Sequence, residues 1–298
     1  MTLRAWYSAT RPRVFTATYV PLALAAAIAL DQGVFDLVPF VLALLGALCL
    51  QTGANLVNEY ADYRRGADTY KVAGQGMTIK QQVLTPRSVL AGAVVTVAAG
   101  SLIGLLLLAH SGPLLLWIGL GGVLVVVTYT AGPFPLAYNG LGEVAVAVFM
   151  GPLMVLGAYY VMARAYDPTP VLASAPVALM VAAILHANNI RDHDADKAVN
   201  KRTLAVIFGL RFARAEYALL VGGAYAALAL LALAGVVPWP GLLAFATLPA
   251  ALRLLRVVSA GSSDTALLHR AQGQTAQLHG RFGLLLALGW LLFVAAGG

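Results

Sequence analysis

Long apolar segments separated by short polar ones set the pattern of this 298-residue chain. A bilayer span takes about 20 apolar residues in a helix. Helices also satisfy their own backbone hydrogen bonds in lipid. The pattern therefore predicts an all-α fold, a polytopic membrane bundle of about nine transmembrane helices in a single domain over residues 1–298. The apolar stretches are 13–31, 37–60, 87–110, 113–131, 141–163, 170–190, 213–236, 238–257 and 280–297.

Composition and charge support this interpretation and add an orientation. The chain is 60% hydrophobic and 10% charged, whereas soluble domains carry about 25% charged residues. If the N-terminus lies in the cytoplasm, Arg164 is the only one of the 19 Lys and Arg residues on the far side. This predicts a multi-pass protein of the inner or plasma membrane, with cytoplasmic loops at about 63–86, 191–212 and 257–280. The net charge of +7 is dispersed over short loops, which favours anionic headgroups or an anionic substrate and argues against nucleic acid.

Two polar blocks interrupt the apolar pattern, one after the second stretch and one after the sixth. Residues 55–68 and 188–201 together hold six of the 12 acidic residues. On a helix, Glu59 and Asp62 share a face with Asn55 and Asn58, and Asp192 shares one with Asp196. Magnesium prefers such oxygen ligands and is often shared with substrate phosphates. The nearby cations suit the same anionic substrate, so the blocks predict a Mg²⁺–diphosphate site facing the cytoplasm; these cations are Arg64, Arg65, Arg191 and Lys201.

Other interpretations of the acidic residues stay open at this level. Each block on its own is also typical of solvated helix ends that pair with arginine. Glu143, at the start of the fifth stretch, is either a functional acid in the membrane or a helix cap. An ion-coupled transporter is the alternative from another functional class. Transporters usually hold their charged site near the bilayer midplane, and the position of both blocks at one rim favours an enzyme.

These residues resemble the UbiA superfamily of intramembrane prenyltransferases. That family pairs an Asn-Asp-x-x-Asp block after its second helix with an Asp-x-x-x-Asp block after its sixth, in a nine-helix fold. Here the first block contains Asn58, Glu59 and Asp62, so Glu59 stands where the family usually has Asp. Three segments, Gly66-x-Asp68, 189–204 and 129–143, are similar to the branch that prenylates 1,4-dihydroxy-2-naphthoate in menaquinone synthesis.

The resemblance implies Mg²⁺-dependent transfer of a polyprenyl group from polyprenyl diphosphate to an aromatic acceptor. The acceptor implied is 1,4-dihydroxy-2-naphthoate, which loses CO₂ and gives demethylmenaquinone; 4-hydroxybenzoate is the alternative. Asn58, Glu59, Asp62, Asp192 and Asp196 are the implied metal ligands, with Asp62, Asp192 and Asp196 catalytic. Arg11, Arg64, Arg65 and Lys201 are the implied diphosphate contacts. Candidates for contacts with the acceptor or the allylic cation are Asn55, Tyr60, Asp68, Tyr129, Tyr138, Glu143, Asn188 and Arg191.

Overall fold

The structure is a computed structural model that describes residues 3–70, 76–260 and 264–297. Regular structure over these ranges is helical, which confirms the predicted all-α class. The α-helices are α1 Leu3–Ala9, α2 Thr16–Asp31, α3 Leu37–Arg64, α4 Ala67–Tyr70, α5 Pro86–Ser111, α6 Leu114–Thr128, α7 Gly142–Phe149, α8 Pro152–Ala163, α9 Thr169–Ala173, α10 Ala175–Arg191, α11 His193–Ala198, α12 Leu204–Leu233, α13 Leu248–Ser259 and α14 Thr265–Ala295. Short 3₁₀ segments lie at Pro12–Val14, Leu136–Tyr138 and Trp239–Thr247.

Seven helical segments of the described chain are long and apolar enough to cross a membrane, so the protein is an integral multi-pass membrane protein. They are Pro12–Asp31, Leu37–Arg64, Pro86–Ser111, Gly142–Ala163, Leu204–Leu233, Trp239–Ser259 and Ala266–Ala295. Helices also occupy the other two predicted stretches. There, α6 has 15 residues and α10 has 17 residues, the last of them polar. The count of nine is therefore approximate.

The three predicted cytoplasmic loops contain more helix than the apolar pattern indicated. Helix α14 begins at Thr265, so most of the predicted loop 257–280 is helical. The 191–212 segment holds α11 and the first turns of α12, with a break at Gly209. Within 63–86, α4 is a single short helix, and residues 71–75 lie outside the described part. Gln, Arg, Leu and Ala are good helix formers whether or not lipid surrounds them, so helices continue beyond the apolar runs.

Helix α2 lies at the centre of the bundle, and small residues bring other helices close together. Most of the span containing α2 is buried inside the protein. In α14, a Cβ at Gly289 would lie 2.0 Å from the Pro240 carbonyl oxygen, and one at Gly283 would lie 2.0 Å from Val20. In α5, a Cβ at Gly100 would lie 2.9 Å from the Gly46 carbonyl oxygen of α3. Such close contacts are typical of helix packing in membranes, where dispersion replaces the hydrophobic effect.

Candidate active site

One cavity joins the two polar blocks. It has a volume of about 650 Å³ and lies between α3, α5, α6, α7, α8 and α10. Apolar side chains and glycines form most of its wall, and the polar residues come mainly from the ends of α3 and α10. The polar lining residues are Arg11, Gln51, Asn55, Asn58, Asp62, Asp68, Ser101, Tyr129, Asn188, Asn189, Arg191, Asp192, Lys201 and Gln272. An apolar chamber with a charged end suits an amphiphilic, anionic substrate.

The first block contributes one face of α3. Gln51, Asn55, Asn58 and Asp62 recur every three or four residues, so their side chains lie on the same side of the helix and line the cavity. Gln51 was missed by the sequence analysis, although it stands one turn before Asn55 in an otherwise apolar run. Its Oε1 atom is buried and has no hydrogen-bond partner in the part of the chain that the structure describes. Asn55 donates to the Thr10 carbonyl oxygen at 2.7 Å, which ties the start of the chain to α3.

Tyr138 connects the two blocks. Its hydroxyl donates to Asp62 Oδ1 at 2.8 Å. The guanidinium of Arg65 lies 4.7 Å from the ring centroid, and the Lys201 ammonium lies 5.5 Å from it. Burial, and then the Asp62 carboxylate, raise the pKa of Tyr138, so the hydroxyl remains a donor that holds Asp62. Tyr138 itself does not line the cavity; it positions residues that do.

The second block begins at the junction of α10 and α11. Arg191 donates through Nε and Nη2 to the two carboxylate oxygens of Asp192, at 2.7 and 2.6 Å. The backbone N–H of Asp196 donates to the Asp192 carbonyl oxygen at 2.7 Å, so one helical turn connects the two acids across the junction. Asp196 is 1% exposed and lies 3.3 Å from Lys201 Nζ. Asp192, Arg191 and Lys201 line the cavity, whereas Asp196 supports Lys201 from behind.

Glu59 faces a different part of the protein from Asp62. Its Oε1 atom accepts hydrogen bonds from Thr78 Oγ1 at 2.6 Å and from the Ile79 N–H at 3.0 Å. A Cβ at Gly76 would lie 2.6 Å from Glu59 Oε2 and 3.1 Å from Arg11 Nε. Glu59 thus anchors residues 76–79 and is absent from the described cavity wall. Its assignment as a metal ligand stays a prediction.

Three further predicted residues also lie away from the described cavity wall. Arg64 is exposed. Arg65 donates to the Gly132 carbonyl oxygen at 3.0 Å, besides its contact with Tyr138. Tyr60 packs against a small apolar cluster that includes Leu56 and Val89. Tyr60 and Arg64 point about 100° or more away from the Asn58–Asp62 face, because each residue turns the helix by about 100°. Arg65 is the residue that follows the end of α3.

Glu143 belongs to a buried network next to the cavity. Its Oε1 atom accepts from Asn189 Nδ2 at 2.7 Å and lies 3.0 Å from His186 Nδ1. His186 Nε2 lies 2.7 Å from the Ala213 carbonyl oxygen, which only accepts, so Nε2 carries a hydrogen. Glu216 Oε2 is 3.6 Å from the same nitrogen. The network holds the Asn189 amide group in place at the cavity wall. Asn189 was absent from the predicted site although it adjoins Asn188.

The oxygen donors at the polar end fit a hard divalent cation that is shared with a substrate. Asp62, Asp68 and Asp192 supply carboxylates, and Asn58 and Asn188 supply amide oxygens around the same space. Among the described residues, no three His, Cys, Asp or Glu side chains converge closely enough to hold a metal by themselves. Magnesium commonly completes its coordination with water and substrate phosphates. The donor set therefore fits Mg²⁺ together with a diphosphate better than a metal bound by protein alone.

The fold and the cavity define a membrane-embedded helical protein whose chamber suits an amphiphilic anion, and comparisons with known proteins specify its family. Residues 19–269 match the UbiA prenyltransferase family. The protein belongs to this family and is an enzyme that transfers prenyl groups. This assignment agrees with the predicted enzyme class and disfavours the transporter alternative.

Curated relatives cover most of the chain. A 1,4-dihydroxy-2-naphthoate octaprenyltransferase of Bacillus subtilis is 32% identical over 284 residues, which cover 95% of this chain and 91% of that protein. The Escherichia coli protein of the same name is 34% identical, and the alignment covers 76% of this chain and 76% of that protein.

Among solved structures, the apo UbiA homolog of Aeropyrum pernix K1 superposes with a TM-score of 0.69 at 18% identity, covering 94% of this chain and 98% of that chain. A UbiA homolog from Archaeoglobus fulgidus bound to GPP and Mg²⁺ gives 0.64 at 14% identity, with 95% and 99% covered.

Proposed function

We propose that the protein transfers a polyprenyl group from polyprenyl diphosphate to 1,4-dihydroxy-2-naphthoate, with loss of CO₂, in a Mg²⁺-dependent reaction. The observation that carries this proposal is the single cavity that unites both polar blocks with an apolar chamber. The naphthoate acceptor is favoured because the Bacillus subtilis and Escherichia coli relatives carry that activity in their names. Demethylmenaquinone, after oxidation of the naphthalenediol product, is the expected quinone.

The diphosphate of the donor would lie at the polar end of the cavity. Arg11 and Lys201 both line this end, and Arg11 Nε is buried without a hydrogen-bond partner among the described residues. Lys201 is held by Asp196, and Tyr138 holds Asp62. When bound by Asp62, Asp68, Asp192 and the neighbouring amides, Mg²⁺ would stabilise negative charge on the leaving diphosphate. The protein cations and the metal together stabilise the charge on the departing diphosphate. An apolar chamber without water would not stabilise this charge by itself.

The reaction requires a dry chamber for the prenyl group. The C1–O bond breaks and its electron pair leaves with the diphosphate, so C1 becomes cation-like. The ring carbon that bears the carboxylate attacks C1, and a C–C bond forms. The carboxylate then leaves as CO₂, and its bonding electron pair restores the aromatic ring. Water would capture the allylic cation, so the apolar wall contributes to catalysis by excluding it.

Asn189 is proposed to orient the acceptor. One N–H of its Nδ2 group donates to Glu143, which orients the amide, and its carbonyl oxygen can accept a hydrogen bond from a hydroxyl on the acceptor ring. The buried Glu143–His186 pair restricts the amide to this orientation. Tyr129 lines the same cavity, and its aromatic face can stabilise positive charge at C1.

The acceptor assignment is tested by a competition assay. Purified protein with Mg²⁺ and octaprenyl diphosphate is offered 1,4-dihydroxy-2-naphthoate and 4-hydroxybenzoate together, and the products are identified by mass. We expect the main product to be the prenylated naphthoate, which lacks the mass of CO₂. The kcat/KM for the naphthoate should exceed that for 4-hydroxybenzoate at least about a hundredfold, about 2.7 kcal/mol. Chelation of Mg²⁺ with EDTA should abolish both products. Preferential prenylation of 4-hydroxybenzoate would contradict the acceptor but not the enzyme class.

The polar end of the cavity is proposed to face the cytoplasm, following the distribution of basic residues. Val83, between α4 and α5, and Tyr166, between α8 and α9, are 44% and 63% exposed. In a Cys49→Ala background, Val83→Cys should react with a membrane-impermeant maleimide only from the cytoplasmic side, and Tyr166→Cys only from the outside. Reversed labelling of the pair would contradict the orientation.

A further inference from the structure

A second groove lies outside the candidate active site, between the start of α2 and one face of α14. It has a volume of about 560 Å³. Arg13 contributes from the α2 side, and Arg270 and Arg281 contribute from α14. Tyr19, Gln274 and Gln277 add neutral hydrogen-bonding groups, and no carboxylate lines the groove within the described residues. The groove is therefore a concentrated site of positive charge.

None of the three arginines has an ion-pair partner within residues 3–70, 76–260 and 264–297. In the part of the chain that the structure describes, the salt bridges involve other cations, and Arg13, Arg270 and Arg281 are all exposed. Like charges that share one groove repel one another, and an anion between them would relieve this repulsion. Arginine is also well suited to phosphate, because its planar donors match phosphate oxygens.

The α14 face that forms the groove continues into an apolar stripe. Arg270, Gln274, Gln277 and Arg281 are spaced by three or four residues and lie on one face of the helix. The next residues on that face are Leu284, Leu288 and Leu291, which are 46%, 47% and 38% exposed. The polar part is about 16 Å long and the leucine part about 10 Å, at 1.5 Å per residue. A ligand that follows this face has an anionic head and an apolar tail.

We propose that this groove binds the headgroup of an anionic phospholipid, with an acyl chain along the α14 leucines. Free phosphate would bind the arginines but would make no contact with the leucine stripe. Tyr19, which is 37% exposed, suits the boundary between headgroups and acyl chains. The groove also adjoins the candidate active site, because His269 Nδ1 lies 3.2 Å from Arg191 Nη1, and Arg191 pairs with Asp192. A bound lipid would thus lie one contact away from the polar end of the cavity.

The test is a lipid titration of the purified full-length protein in neutral detergent, followed by native mass spectrometry. Wild type should bind phosphatidylglycerol at least about tenfold more tightly than phosphatidylcholine, and the double variant R270Q/R281Q should lose that preference. Both arginines are exposed, so the substitutions open no cavity. The matched control is R253Q/R256Q, which removes two exposed arginines from α13 and should retain the preference for phosphatidylglycerol.

Three results would overturn the proposal. An equal loss of phosphatidylglycerol binding in R253Q/R256Q would mean that general surface charge attracts the lipid. Displacement of the lipid by excess inorganic phosphate would indicate a site for free anions. Competition by geranyl diphosphate, with a raised KM for that substrate in R270Q/R281Q, would make the groove a substrate site. An unchanged KM together with selective loss of lipid would support the phospholipid site.

Discussion

Asp62→Asn and Asp192→Asn are each expected to lower prenyl transfer at least about a thousandfold, about 4 kcal/mol of transition-state stabilisation. Both carboxylates line the polar end of the cavity. Asparagine has nearly the same shape and can still accept the hydrogen bond from Tyr138 at position 62. The substitutions therefore remove negative charge that would hold Mg²⁺ and keep the side-chain volume, and at position 192 asparagine accepts only one of the two hydrogen bonds from Arg191. Rates are measured with purified protein over a range of Mg²⁺ concentrations.

The matched control is Asp194→Asn. Asp194 belongs to the same block, but its side chain is 97% exposed, and the substitution makes the same change of charge. It should retain nearly full activity, and all three variants should elute as monodisperse protein with the wild-type helical spectrum. Near-normal turnover in Asp62→Asn and Asp192→Asn would show that these acids do not serve the reaction.

Gly122→Leu is expected to lower kcat/KM for octaprenyl diphosphate about a hundredfold, about 2.7 kcal/mol, and to leave the value for geranyl diphosphate nearly unchanged. Gly122 lies on α6 and lines the apolar part of the cavity. No atom of the described residues lies within 4 Å of the position that a Cβ would occupy, so leucine extends into the chamber and not into a neighbouring helix. A long prenyl tail needs this space, whereas a short one does not.

Gly222→Leu provides the control for the added side chain. Gly222 lies on α12, is exposed, and also has no atom within 4 Å of a built Cβ, but it does not line the cavity. Gly222→Leu should leave kcat/KM unchanged for octaprenyl diphosphate and for geranyl diphosphate. If Gly122→Leu lowered the rates with both donors equally, the prenyl tail would not occupy this part of the chamber.

The spacing of polar residues predicted which side chains of α3 line the cavity. It predicted only part of what lies around them. Asn55, Asn58 and Asp62 share a face because helix geometry is local, and all three line the cavity. Helix geometry also fixes the position of Glu59, one residue after Asn58, but it did not specify the hydrogen-bond donors that Glu59 contacts. Those are Thr78 and Ile79, and a contact across some twenty positions depends on how the following segment folds back. Gln51 follows the same spacing, one turn before Asn55, and this signal in an otherwise apolar run was missed because Gln51 lies outside the polar block.

The sequence by itself determined the helical class, the membrane environment and the presence of two acidic blocks, because these follow from the number, spacing and local order of apolar and charged residues. Tertiary structure decided which of those residues meet. Tyr138 donates to Asp62 from 76 positions away, and Glu143 accepts from Asn189 across 46 positions. Arg65 lies over the Tyr138 ring, a contact across 73 positions that the sequence did not predict, and its contact with diphosphate stays a prediction. Such pairings depend on the rotation and approach of separate helices, which local periodicity does not encode.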